Sequence, residues 1–196
     1  MALFDHASRE AIQFIDHAQS IMPCMLYLIL GLWLLNIINW SLGAHLNRLG
    51  IYPRKPYGLL GILFAPFLHA DFNHLFFNSI PLFLLGLFIM TLGLEIYIII
   101  SFIIILLSGL GVWCVGRNGV HLGASGVIAG YFSFIMMMAY DSPSFVTYFL
   151  AGIALYYFGG ILFSLLPTNE RTSWEGHLTG FLAGLIALPL YSYLMV

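Results

Sequence analysis

The sequence predicts an all-α polytopic membrane protein built as a bundle of six transmembrane helices. Of its 196 residues, 61% are hydrophobic and only 7% are charged, whereas soluble domains are about a quarter charged. The charged residues also leave long gaps, each of which reaches the roughly 20 residues that a helix needs to cross a bilayer. The charge-free stretches are 17–47, 72–94, 96–116, 118–140, 142–169 and 176–196.

The same composition excludes two other classes of protein. Aromatic residues make up 16% of the chain, far more than a disordered protein carries. A net charge of -2 excludes a nucleic-acid partner, because nucleic-acid binders need a basic face. The lipid bilayer is therefore the first partner that the sequence predicts.

The first elements are an amphipathic segment, a helix and a long connector. Residues 1–20 place apolar side chains on one helical stripe, which predicts a segment lying at the interface or packed on the bundle. Residues 21–196 are predicted to form the six-helix domain, whose first helix lies near 22–43. The connector 44–71 contains an apolar stretch of about 10 residues, too short to span, so we expect it to lie partly in the bilayer.

Five more helices are predicted after the connector. The isoleucine-rich run 96–107 would favour a strand in water. In lipid, however, an open strand leaves backbone groups unpaired, so this run is expected to be helical. The predicted spans are 72–92, 95–116, 122–140, 144–166 and 175–195.

Counting the crossings places four polar residues just below one face of the membrane. The second, fourth and sixth helices begin at the face opposite the amino terminus, which we call face B. His74 and Asn78 lie near the start of the second helix, Ser125 of the fourth and His177 of the sixth. Each one taken singly could simply cap or link helices, but together they suggest a site.

The residue types fit hydrolytic chemistry. A serine at a helix start lies where free N–H groups and the positive helix end stabilise a developing oxyanion. His177 is a candidate base for activating Ser125, and His74 and Asn78, four residues apart, share a face from which to bind an oxyanion. Glu175 precedes His177 by two residues and points away from it, so we expect a Ser–His dyad rather than a triad.

Small residues indicate which helices touch. Glycines four residues apart on the fourth and sixth helices let two backbones approach closely in lipid, which would carry His177 towards Ser125. No metal-binding motif of the His-Glu-x-x-His type is present. The glycines assigned to helix packing are Gly123, Gly126, Gly130, Gly180 and Gly184.

Three blocks of sequence resemble the signatures of rhomboid intramembrane serine proteases. They are residues 69–78 (HADFNHLFFN), 123–126 (GASG) and 176–180 (GHLTG), and the resemblance runs from about residue 22 to the end. It implies a rhomboid-like six-helix fold and a serine endopeptidase that needs no cofactor. It also implies the roles of the site residues: Ser125 as nucleophile, His177 as general base, and His74, Asn78 and the Ser125 N–H around the oxyanion.

The resemblance also implies a substrate class and a location. The substrates would be single-pass transmembrane proteins, cut near the membrane surface where small or helix-breaking residues loosen the helix. The protein would be a multi-pass component of a bacterial inner membrane, with its site facing the extracytoplasmic side. The basic residues favour the opposite orientation, because face B carries five of the six and positive loops tend to stay in the cytoplasm. We follow the resemblance; the oligomeric state stays open.

This chain departs from the family pattern at three places. Ala129 stands where some members stack an aromatic ring on the catalytic histidine, a role that could pass to Tyr131 or Phe132. Leu60-Gly61 replaces a Trp-Arg pair of the first loop, and Gly176 replaces a more common alanine or serine. Ala129 keeps open a silent relative that binds transmembrane helices without cutting them, although the intact set of Ser125, His177, His74 and Asn78 argues against it.

A third possibility is a metal site or transporter at face B. Imidazole is a good ligand for zinc or copper, although histidines inside membranes are more often hydrogen-bonded than metallated. The candidate ligands are His69, Asp71, His74, His121 and His177.

Overall fold

A computed structural model describes residues 2–167 and 173–195, and most of this part of the chain is helical. The α-helices are α1 (Ala2–Ser41), α2 (Gly61–Phe64), α3 (Phe72–Met90), α4 (Leu94–Val115), α5 (Ser125–Asp141), α6 (Phe145–Phe158) and α7 (Trp174–Met195). Short 3-10 turns occupy His45–Leu49, Pro56–Leu59, Ala65–Phe67 and Gly159–Leu165. The predicted all-α polytopic bundle is confirmed.

The first helix is longer than the sequence suggested. Helix α1 has 40 residues and runs without interruption through Pro23, so no break in the helix sets residues 2–20 apart from the first span. At 1.5 Å per residue it is about 60 Å long, twice the thickness of the hydrocarbon layer. A proline usually ends a helix in water. In lipid the backbone stays helical because the freed groups have no water to bind.

Five of the described segments are long and apolar enough to cross a membrane, namely His6–Ser41, Phe72–Met90, Leu94–Val115, Phe145–Leu165 and Trp174–Leu194. Helix α5 has 17 residues, the lower limit for a span. It lies in the centre of the bundle, where Tyr131, Phe132, Phe134 and Ile135 are almost fully buried. A helix that is apolar all round is expected to be surrounded by others, and α5 packs against α3, α4, α6 and α7.

The connector before α3 folds back onto the loop before α5. Ile51 and His121 form an isolated antiparallel bridge, with N···O distances of 3.0 and 2.9 Å. The Arg54 guanidinium donates to the Gly116 carbonyl at 2.8 Å and to Asn118 Oδ1 at 2.8 Å. The connector therefore supports the chain segment that leads to Ser125.

Helices α5 and α7 touch through their glycines. A Cβ added at Gly180 would collide with the Gly126 carbonyl, and one added at Gly184 would collide with the Gly130 carbonyl and the Ser133 hydroxyl. Because the contact is between the backbones of the two helices, an added side chain could be accommodated only if one whole helix moved. The glycine faces thus set the distance between the helix that begins with Ser125 and the helix that carries His177.

We expect Gly180→Ala to destabilise the bundle by about 1–3 kcal/mol, the usual range for overpacking a tight contact. Thermal unfolding in detergent measures the change. Gly152→Ala on α6 is the matched control, because no atom lies within 4 Å of the added Cβ. Equal unfolding temperatures for the two variants would contradict the close approach of α5 and α7.

Candidate active site

The starts of α3, α5 and α7 surround one cavity at face B. The cavity has a volume of about 770 Å³ and opens to the outside of the protein. Its lining includes all four polar residues singled out from the sequence, His74, Asn78, Ser125 and His177. The loop between α4 and α5 contributes His121 to the same wall.

Ser125 is the first residue of α5 and follows a sharp turn. Gly123 in that turn has a φ of +108°, a conformation that favours glycine. Its N–H donates to the Ala65 carbonyl at 2.9 Å, and a Cβ at this position would lie 2.6 Å from the His74 ring. Gly123 therefore lies in the turn against His74 rather than on the helix-packing face to which the sequence pattern assigned it.

His177 lies in the first turn of α7 and is held by a backbone group. Its Nδ1 is 3.3 Å from the Ser164 carbonyl, in the 3-10 turn that follows α6. A carbonyl oxygen only accepts hydrogen bonds, so Nδ1 carries the proton and Nε2 is left as an acceptor. This is the tautomer that a general base needs, and here a carbonyl fixes it where other serine hydrolases use a carboxylate.

The rings considered as a replacement for the missing aromatic at Ala129 are engaged elsewhere. The Tyr131 hydroxyl lies 2.6 Å from that of Ser101 on α4. Phe132 packs beside Phe181, with ring centroids 6.4 Å apart. Ala129 itself is fully buried. The described contact that orients His177 is thus made by Ser164, and no side-chain pattern could have signalled it.

His69 has a role that the sequence did not reveal. Its ring is completely buried, and Nε2 lies 3.1 Å from Asn78 Nδ2 and 3.4 Å from the Ala124 nitrogen. Burial lowers the pKa of His69 to about 3, so the ring is neutral and Nε2 accepts from both donors. From α1, Asn36 Oδ1 accepts the backbone N–H of His69 at 2.8 Å. The buried His69 ring thereby orients the side-chain amide of Asn78.

We expect His69→Leu to slow covalent labelling of Ser125 by about 10- to 100-fold, because Asn78 loses the partner that orients its amide. The loss should stay below the ~10²–10³-fold typical of a deleted oxyanion donor. His45→Leu, an exposed histidine of the same connector, is the control. Labelling of His69→Leu at the wild-type rate would remove His69 from the site.

The histidines do not form a metal centre in the described part of the chain. No group of three His, Cys, Asp or Glu side chains lies close enough to share an ion there. His69 binds Asn78, and His121 binds Ser173 through Nδ1 at 2.7 Å. The imidazoles of His69 and His121 are thus engaged in hydrogen bonds, as is that of His177 with the Ser164 carbonyl.

Comparison with known families agrees with this geometry. The family model described as Rhomboid domain matches residues 56–194, well over half of the chain. The chain belongs to the rhomboid family. The resemblance noted in the three sequence blocks is thereby confirmed, and this rhomboid is an integral, multi-pass membrane protein.

Its relatives include two mycobacterial proteins. An uncharacterized protein of Mycobacterium tuberculosis is 39% identical over 171 residues, which cover 82% of this chain and 71% of the relative. An uncharacterized protein of Mycobacterium leprae is 33% identical over 173 residues, covering 82% and 67%. The matched domain contains Ser125, His177, His74 and Asn78.

Proposed function

We propose that this rhomboid is an intramembrane serine endopeptidase that uses a Ser125–His177 dyad. One observation carries the proposal: both residues line the same open cavity, and the Ser164 carbonyl leaves Nε2 of His177 as a proton acceptor. A nucleophile and a base that line the same open cavity are the pair of groups that acyl transfer requires.

In the proposed reaction, Ser125 Oγ attacks the scissile carbonyl carbon while His177 Nε2 takes the hydroxyl proton. The resulting oxyanion would be bound by the Ser125 N–H, by His74 and by Asn78. An amide nitrogen carries two hydrogens, so Asn78 can donate one to His69 and the other to the oxyanion. His177 then protonates the leaving amine, the C–N bond breaks, and water releases the acyl group by the reverse sequence of proton transfers.

The proposed substrates are single-pass transmembrane proteins. The cavity is lined by the starts of α3, α5 and α7, and a peptide bond that reaches Ser125 there must leave the helical conformation. Residues with poor helix propensity, above all glycine and proline, make that opening easier. The chemistry we propose uses protein groups and water only.

The proposed orientation places face B outside the cytoplasm, in a bacterial inner membrane. The opposing argument from positive charge weakens because two basic side chains of face B are held by the protein. Arg54 binds backbone carbonyls in the last turn of α4 and just after it, and Arg117 pairs with Glu175. Arginines held in this way serve the fold, so their presence on face B is weaker evidence that this face lies in the cytoplasm.

The proposal is tested by incubating purified wild type and Ser125→Ala with a panel of single-span substrates in detergent or liposomes. We expect wild type to release two fragments from at least one substrate and Ser125→Ala to release none while still binding it. Substrates that bind both proteins equally and stay intact would identify a silent helix-binding relative instead. Cleavage that persists in Ser125→Ala would place the nucleophile elsewhere.

A further inference from the structure

An ion pair joins the loop before α5 to the first turn of α7. Arg117 Nε lies 2.6 Å from Glu175 Oε1, and Nη2 lies 3.3 Å from Oε2. The Arg117 backbone N–H adds a third contact between the two residues, to Oε1 at 3.3 Å. The Glu175 side chain is only 2% exposed and that of Arg117 is 43% exposed. A carboxylate buried this deeply stays charged only when it is paired.

A second pair of residues connects the same two segments. Ser173 Oγ accepts the Gly176 N–H at 3.3 Å and so caps the start of α7. His121 Nε2 lies 2.9 Å from the Arg117 carbonyl, which can only accept. His121 Nδ1 is therefore the acceptor for the Ser173 hydroxyl, 2.7 Å away. The loop thus contacts the beginning of α7 through two side-chain pairs, Arg117 with Glu175 and His121 with Ser173.

The ion pair bears on the rotation of the first turn of α7, which the glycine contacts do not set. The contacts of Gly180 and Gly184 with α5 set the distance between the helices, but they lie deeper and carry no side chain that fixes the helix rotation near its start. Glu175 and His177 are two residues apart, which is roughly 200° around an α-helix. Holding Glu175 against Arg117 therefore leaves His177 on the face of α7 that lines the cavity, whereas Glu175 does not line it.

We propose that Arg117 and Glu175 form a positioning pair that sets the rotation of the first turn of α7 and hence the direction of the His177 ring. Neither side chain touches the reacting atoms. The inference rests on the proposed function, since it concerns the base of that reaction. Deleting the carboxylate is expected to slow the attack of Ser125 without changing how a reagent enters the cavity.

The experiment measures covalent labelling of Ser125 by a fluorophosphonate over a range of reagent concentrations. It yields two quantities, the labelling rate at saturating reagent and the reagent concentration that gives half of that rate. In Glu175→Met we expect the saturating rate per folded molecule to fall roughly 100-fold, the effect of a misplacement of about 1 Å, with the half-saturating concentration unchanged. Glu95→Met is the matched control, because Glu95 is an exposed acid in the first turn of α4 at the other face.

A double variant separates positioning from stability. Arg117→Met with Glu175→Met removes both charges, which restores most of the stability that a single removal costs. We expect unfolding in detergent to recover while labelling stays slow. Labelling that recovers together with stability would overturn the proposal. If Glu175→Met does not fold, the double variant alone tests the proposal, again by its unfolding in detergent and its labelling rate.

The two hypotheses fail differently. Wild type that labels at Ser125, with Glu175→Met labelling at the same saturating rate, overturns the positioning pair and leaves the proposed protease intact. Wild type that does not label at all, while Ser125 remains accessible in the folded protein, overturns the proposed function and this inference with it.

Discussion

Replacement of His177 by alanine is expected to reduce labelling of Ser125 by a fluorophosphonate, and cleavage of any substrate, to background. Loss of the base in a serine hydrolase costs on the order of 10⁶-fold in turnover, because the serine hydroxyl is a weak nucleophile until its proton is accepted. The half-buried ring touches the Ser164 carbonyl, so its removal should leave the bundle folded.

Chemical rescue makes this test specific. The cavity of about 770 Å³ has room for free imidazole, which should restore part of the labelling in His177→Ala but none in Ser125→Ala. His17→Ala, an exposed histidine of α1, controls for the change of residue type. Wild-type labelling of His177→Ala without imidazole would show that another group activates Ser125.

Much of the bundle could be predicted from the sequence because lipid imposes few choices. A charge-free stretch of sufficient length must become a helix, since every backbone group has to be paired internally. Counting those helices assigns sides without any knowledge of packing, and this put His74, Asn78, Ser125 and His177 at one face. The structure then brings these four into one cavity, which the count alone did not require.

The contacts that orient the site were not predictable in the same way. His177 is held by the carbonyl of Ser164, and a backbone carbonyl has no sequence signature. Arg117 meets Glu175 across 58 residues, and both look like ordinary loop and helix-end charges until the fold joins them. His69 supports Asn78 from the buried side, a role that the spacing of nine residues does not distinguish from packing.

The first helix illustrates a different limit. The apolar stripe of residues 1–20 predicts an amphipathic segment separate from the first span. The structure keeps one helix from Ala2 to Ser41, because backbone groups freed at a proline have no water to bind in lipid and the chain therefore stays helical. Composition thus located the first span, but it did not show that the same helix continues towards the amino terminus.

Gly123→Ala is expected to lower labelling of Ser125 by more than 100-fold. The φ of +108° costs an alanine on the order of 1–3 kcal/mol. In addition, the new Cβ would lie 2.6 Å from the His74 ring and 3.4 Å from Asn78 Nδ2. The ring has to move, and with it one of the groups proposed to bind the oxyanion. Labelling kinetics and thermal unfolding of the same sample measure both effects.

The same loop supplies a control that separates backbone strain from the contact with His74. Gly119 also has a positive φ, +143°, but no atom lies within 4 Å of a Cβ added there. Gly119→Ala should therefore lose stability and keep its labelling rate per folded molecule, whereas Gly123→Ala loses both. If the two variants label alike, the turn before Ser125 matters only for folding, and the close approach of Gly123 to His74 has no part in binding the oxyanion.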